Sequence, residues 1–140
     1  DLQDYRPGIE AAKKAGVISP LAKFKFSKKD IRDISKALGF PWWDKPAQPC
    51  LSSRFPYGQE ITYERLKMVE KAEEFIKKGG IAEVRVRCQG TTARIEIPQD
   101  ELPMFFQKFK FNEVVKFFSD LGFSCTSLDL EGLISGKLNR

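Results

Sequence analysis

The sequence has no histidine and only three cysteines, Cys50, Cys88 and Cys125, which stand far apart. No C-x-x-C pair occurs. A structural zinc site draws on clustered Cys and His ligands, so this composition argues against one. Separated thiols, odd in number, point to a reduced, cytoplasmic setting rather than a disulfide scaffold. No apolar run is long enough to span a membrane, and no secretory signal pattern opens the chain. Internal repeats and low-complexity segments are missing as well. The first residue is Asp1 and not Met, and the opening is polar, so the chain is expected to be a stretch from within a longer protein.

At 140 residues, 41% hydrophobic and 31% charged, the chain can bury a core without disulfide staples. This length fits one domain, or one domain plus a piece of another. The net charge of +5 suits a phosphate-bearing partner, although lysines spread over helix surfaces produce the same figure.

Residues 44–58, DKPAQPCLSSRFPYG, follow no period. Pro46, Pro49 and Pro56 cannot donate to a ladder or sit inside a helix, so this is an ordered loop or a short edge strand. Cys50 stands just before the hydroxyls of Ser52 and Ser53 and the guanidinium of Arg54. A neighbouring positive charge lowers a thiol's pKa and raises its reactive fraction. A buried structural cysteine in a proline-rich connector is the alternative.

The flanking chain is more regular. A short helix is expected over 9–15. Ser27, with Asp30 three residues on, makes a capping-box pair for a helix over 27–39 whose apolar stripe is Ile31, Ile34 and Leu38. Phe40-Pro41-Trp42-Trp43 makes an aromatic hinge, whose two tryptophans read as packing anchors at a domain edge, with stacking on a base as the alternative. Thr62 caps a second helix, 62–78, with Leu66, Val69, Ala72, Phe75 and Ile76 as its apolar arc. Glu73 lies at the rim of that arc, where a carboxylate is either paired or functional because burying it alone is costly.

Two alternating runs, 83–88 and 92–97, flank Gln89-Gly90-Thr91 and predict a β-hairpin. Val84, Val86, Cys88, Ala93, Ile95 and Ile97 share one face; Arg85, Arg87, Arg94 and Glu96 share the other. Arginine forks suit phosphate or carboxylate, and a solvated face with cross-strand Arg–Glu pairs is the alternative. A helix over 100–110 interrupted near Pro103, a helix capped by Asn112, and a strand over 123–130 follow. Phe105, Phe106 and Phe109 fall at helical spacing and read as core, not as a base-stacking platform. Ser135-Gly136-Lys137 offers backbone amides to an anion. With 51–61 as an edge strand, the second part reads strand–helix–strand–strand–helix–strand, the ferredoxin-like βαββαβ order within an α+β fold.

Several of these residues fall into motifs. D-Y-R-P-G at 4–8, W-D-K-P-A at 43–47, C-L-S-S-R-F-P-Y-G at 50–58, V-R-V-R at 84–87, A-R-I-E at 93–96 and L-D-L-E-G at 128–132 occur in this order. Together they resemble the LarE family of ATP-dependent sacrificial sulfur transferases, related to the PP-loop ATP pyrophosphatases. The resemblance covers nearly the whole chain, and the nine-residue cysteine motif is its most specific part. The family's S-G-G-x-D-S phosphate loop does not occur in this sequence. The resemblance therefore implies that 1–45 are the end of a PP-loop α/β domain and 46–140 the sulfur-transferase C-terminal domain. ATP and magnesium would be bound mainly by the part that carries the phosphate loop.

The implied function is sulfur donation in nickel-pincer cofactor biosynthesis. A cysteine thiolate attacks an adenylated pyridinium dicarboxylate mononucleotide, and its carbon–sulfur bond then breaks. The motif match assigns the sacrificial role to Cys50. It implies an anion-binding role for Arg85 and Arg87, with Arg54, Ser52, Ser53 and Arg6 on the substrate and phosphate side and Asp4 in the nucleotide-side motif. Glu73 and Glu96 match carboxylates near the cysteine that bind metal or orient groups. No iron–sulfur cluster is expected, because the three cysteines are widely spaced. The implied partners are a small-molecule nucleotide and further copies of the chain, up to a hexamer, with neither membrane nor nucleic acid. Pro49, Cys88-Gln89 and Leu133-Ile134 depart from the family pattern. The alternatives are a PP-loop tRNA thiolase that uses a persulfide, and a non-catalytic basic module for nucleic acid or protein.

Overall fold

In the computed structural model the chain is described over residues 7–45, 49–134 and 137, with Pro7 and Ile9 described by their backbone alone. It divides into two compact units, Asp1–Gln48 and Pro49–Arg140. Asp4, Arg6, Ser135 and Gly136 lie outside the described residues.

The first unit is helical: α1 (Pro7–Lys14), α2 (Pro20–Lys23) and α3 (Lys28–Ala37). The capping box at α3 forms as expected. Ser27 Oγ accepts from Asp30 N, and Ser27 N donates to the Asp30 carboxylate at 2.8 Å. The Ser27 hydrogen bonds, side chain first, hold the Asp30 carboxyl below its ordinary value. Phe40 and Trp42 stack at 5.6 Å, and Lys36 sits over the Trp43 ring. Among the described residues of this unit no side chain is buried, and Phe24, Ile34 and Leu38 remain exposed.

The second unit holds the core. It runs from a one-turn 3-10 helix (Leu51–Arg54) through α4 (Tyr63–Lys78), β1 (Arg85–Gln89) and β2 (Thr92–Glu96). A 3-10 turn (Gln99–Glu101), α5 (Leu102–Lys108), α6 (Phe111–Asp120) and β3 (Cys125–Leu128) complete it. Thr62 caps α4 by accepting from Arg65 N. The sheet order is β1-β2-β3, with β1 antiparallel and β3 parallel to β2. Strand side chains alternate between faces. One face supplies Val86, Cys88, Ala93 and Ile95, which join Val69, Ala72 and Ile76 of α4 and Phe105, Val114 and Phe118 of α5 and α6 in one core. Phe109 closes the helical side by lying on Gly79, where an added Cβ would fall 2.0 Å from its ring.

Three sequence expectations are corrected. The ferredoxin-like βαββαβ order would need a fourth strand over 51–61. The described residues hold three strands, and β3 lies parallel beside β2 where a split arrangement would separate them. The missing strand has a physical cause. Glu73 Oε1 accepts from Val86 N at 3.1 Å, and Gln59 Nε2 donates to Cys88 O at 3.2 Å while its Oε1 accepts from Gly90 N. Backbone groups of β1 that another strand would pair are thus satisfied by side chains. Asn112 does not cap α6, which starts at Phe111 after Lys110 and has no side-chain cap. The helix expected over 100–110 with an interruption near Pro103 is a 3-10 turn followed by α5, and Pro103 does not interrupt α5 but sits in its first turn, where its missing N–H costs nothing.

Phe118 is fully buried between helices and sheet. Phe118→Ala should cost about 3–5 kcal/mol, against about 1 kcal/mol for loss of the α4 cap in Thr62→Ala. Urea unfolding of both variants checks the ranking.

Candidate active site around Cys50

Cys50 is exposed and immediately precedes the 3-10 turn. Pro49 sits before it and Pro56 after the turn, so neither flank can extend as a ladder. Arg54 folds the turn back on itself. Its Nη1 donates to the carbonyls of Pro49 at 3.2 Å and Cys50 at 3.4 Å and to Ser53 Oγ at 3.0 Å. Ser53 Oγ in turn donates to Cys50 O at 2.8 Å. Cys50 is therefore held by its carbonyl. Its sulfur makes no hydrogen bond to a described residue, so the guanidinium works here on the backbone.

Arg54 and Glu73 form a two-pronged pair, Nε to Oε1 at 2.6 Å and Nη2 to Oε2 at 3.1 Å. The pair is 7% and 3% exposed. The carboxylate at the rim of the α4 arc is thus paired, and by the residue that shapes the cysteine turn. Arg87 makes the second tie: its Nη1 donates to Ser53 O at 2.7 Å and its Nε to Glu96 Oε2 at 2.8 Å. Glu96, fully buried, also accepts from Arg94 Nη2 at 3.1 Å. The polar face of the hairpin is accordingly a buried Arg–Glu lattice under the Cys50 turn, not a solvated surface.

Arg85 is the exception. It is half-buried, and its guanidinium makes no hydrogen bond or ion pair with a described residue. Burial, together with the Arg87 and Arg54 charges, pulls its guanidinium below its ordinary value. A half-buried cation with cationic neighbours is a place where an anion would be stabilised. Ser52 is exposed on the turn. The predicted residues Cys50, Ser53, Arg54, Glu73, Arg87 and Glu96 are thus joined in one hydrogen-bonded assembly, with Arg85 beside it on β1.

All four carboxylate oxygens of Glu73 and Glu96 face guanidinium or N–H donors. In this arrangement they do not fit as metal ligands, because a cation there would have to displace an arginine. Among the described residues no group of three or more Cys, Asp and Glu is placed to hold a metal ion. No helix among them is long and apolar enough to cross a membrane.

Three contributors escaped the sequence reading. Gln59 ties the segment after the turn to the end of β1. Arg65 donates to the carbonyls of Glu60 and Gly90, approaches Cys88 Sγ at 3.6 Å and lies over the Phe55 ring. Asp129 extends the lattice from Arg94 to the end of β3. Asp129 falls in the L-D-L-E-G motif, which was the available signal.

The site thus defines a chain with an exposed cysteine on a turn clamped by buried arginine–carboxylate pairs, next to an unpaired arginine. No protein-family model matches the chain. It is 55% identical over 140 residues to an uncharacterized protein of Synechocystis, covering 52% of that protein. It is 39% identical over 140 residues, 99% of its own length, to the pyridinium-3,5-bisthiocarboxylic acid mononucleotide synthase of Lactiplantibacillus plantarum, covering 50% of that enzyme. An uncharacterized protein of Methanocaldococcus jannaschii is 37% identical over 131 residues. The chain spans about half the length of the curated relatives it matches. The identity to the synthase extends along nearly the whole chain.

Two outcomes follow from this geometry. Glu73→Ala leaves the Arg54 guanidinium buried and unpaired, and should destabilise the protein by about 3–5 kcal/mol, read as a lower urea midpoint. For Asp129, burial raises the carboxyl's value, but hydrogen bonds from Lys137 and Glu131 N, with the Lys137 and Arg94 charges, outweigh it and hold the value low. A depressed carboxyl stabilises the fold above its unfolded value of about 3.9 and loses that contribution as pH falls through the folded value. Asp129→Asn should therefore flatten the acid side of a stability–pH curve and lower the plateau above it.

Proposed function

We propose that this chain is the cysteine-bearing part of a sacrificial sulfur transferase acting on a carboxylated pyridinium mononucleotide in nickel-pincer cofactor biosynthesis. The observation that carries the reading is the Cys50 turn itself. An exposed thiol is presented from a turn whose backbone is fixed by Arg54 and Arg87, beside the unpaired Arg85. The Lactiplantibacillus relative, a pyridinium-3,5-bisthiocarboxylic acid mononucleotide synthase, supplies the substrate class.

In this reading Arg85 receives the anionic part of the nucleotide, with Ser52 and Arg87 at hand. The Cys50 thiolate attacks a carboxylate activated as its acyl-adenylate by ATP, forming a carbon–sulfur bond and releasing AMP. A base then removes the Cys50 Cα proton, the Cβ–S bond breaks, and the electron pair leaves with sulfur as a thiocarboxylate. The protein retains dehydroalanine, and no oxidant or reductant is consumed. Glu73 and Glu96 orient Arg54 and Arg87. In this reading residues 1–45 close a PP-loop domain that binds ATP and magnesium, 46–140 form the sulfur-transferase domain, and the working protein is a homo-oligomer in the cytoplasm. The first unit's uncovered apolar side chains accord with a neighbour from the remainder of such a protein.

The test is peptide mass spectrometry on the full protein carrying this chain, before and after incubation with ATP and acceptor. Loss of the elements of hydrogen sulfide at Cys50, and not at Cys88 or Cys125, is the expected result. Cys50→Ala should abolish sulfur transfer while acceptor adenylation continues. Transfer by that variant, or an unchanged Cys50 in the wild type after turnover, would overturn the reading in favour of a persulfide route.

A further inference from the structure

The ionic lattice under the Cys50 turn does not end at Glu96. Glu96 is a single, fully buried carboxylate shared by two guanidinium groups, Arg87 on Oε2 and Arg94 on Oε1. Arg87 and Glu96 are buried and Arg94 is 29% exposed, so two cations share one buried anion, and the imbalance is felt more strongly than in water. The balancing charge comes from the end of β3, where Asp129 faces both Arg94 and Lys137 and Lys137 in turn pairs with Glu131 at 2.8 Å. Asp129 Oδ2 lies 3.4 Å from Arg94 Nε. That is close enough for charge pairing, though not in hydrogen-bond geometry, since Arg94 Nε has no hydrogen-bond partner among the described residues.

Asp129 is itself well fixed. Its N–H donates to Ile95 O at 2.8 Å, Glu131 N donates to its Oδ1 at 3.0 Å, and Lys137 Nζ donates to its Oδ2 at 2.7 Å. Its side chain is 11% exposed and that of Lys137 9%. Gly132 keeps this corner tight. Its φ of +77° suits glycine, and an added Cβ would lie 2.8 Å from Ile97 O. An unbroken series of polar contacts therefore runs from Asp129 through Arg94, Glu96 and Arg87 to the carbonyl of Ser53.

We propose that Asp129 is a positioning residue for the Cys50 turn: by balancing Arg94 it leaves Glu96 free to hold Arg87, and Arg87 free to hold Ser53 O. Without the Asp129 charge, Arg94 competes fully for Glu96. Arg87 then loses its fixed partner, and the turn loses its second tie. Asp129 touches no residue of the turn, so it acts only through Arg94, Glu96 and Arg87. The wider importance of the turn rests on the sulfur-transferase reading; the coupling does not.

The experiment is hydrogen–deuterium exchange by mass spectrometry on the full protein, without substrate, comparing wild type, Asp129→Asn, and the double variant Arg94→Gln/Asp129→Asn. In Asp129→Asn, exchange over 49–55 should rise by more than the general rise in α6 that the lower stability brings. Removing the surplus cation as well should return 49–55 to the level set by α6, because Glu96 then has one guanidinium to hold. A merely structural Asp129 would raise exchange over 49–55 and α6 by the same factor and gain nothing from the second change; that pattern overturns the proposal. If Asp129→Asn does not fold, the double variant decides alone. Wild-type exchange at 49–55 sustains the proposal, and a loosened turn or a second failure to fold overturns it. A Cys50 that keeps its sulfur on turnover sinks the functional reading and leaves the exchange result standing.

Discussion

The Arg54–Glu73 pair is the constraint on which the rest of the second unit's organisation depends. Burying either charge alone would cost several kilocalories per mole, so the two must arrive together. Their meeting fixes the α4 rim against the Cys50 turn. Glu73 also accepts from Val86 N, so the same carboxylate ties the helix to β1. One ionic pair thereby sets three elements in register, and the hairpin's polar face is left to be filled by Arg87, Glu96 and Arg94.

This arrangement answers why an arginine-rich sheet face is not a solvated one. β1 offers cations at Arg85 and Arg87 and β2 one at Arg94, and the register places Arg85 opposite Glu96 and Arg87 opposite Arg94. Arg87 crosses diagonally to Glu96, Arg94 shares the same carboxylate, and Asp129 brings further negative charge. Arg85 alone is passed over. The lattice thus both rigidifies the turn and leaves one cation available, a division that pairwise counting of charges would miss.

Local features were legible in the sequence. The Ser27–Asp30 box, the Thr62 cap and the period-two runs about Gly90 each depend on neighbours a few residues away, and each forms. The features that were not legible depend on distant partners. The 51–61 stretch has the length of an edge strand. Whether it pairs is decided by Gln59 and Glu73 taking the backbone groups of β1, and no local pattern announces that. Asn112 looks like a cap, yet the fold starts α6 at Phe111 to seat Val114 and Phe118 in the core. At the site, Cys50, Arg54 and Arg87 could be picked out by chemistry and motif, and Glu73 could be narrowed to "paired or functional". That its partner is Arg54, and that Asp129 closes the lattice, required the contacts themselves.

The cysteine turn is fastened mainly through carbonyl oxygens, those of Pro49, Cys50 and Ser53, with Ser53 Oγ as a further acceptor. The sulfur contributes nothing to that fastening. If Cys50 gives up its sulfur, none of these hydrogen bonds goes with it. A spent copy would keep the ties that hold the turn while lacking the one atom it had to give.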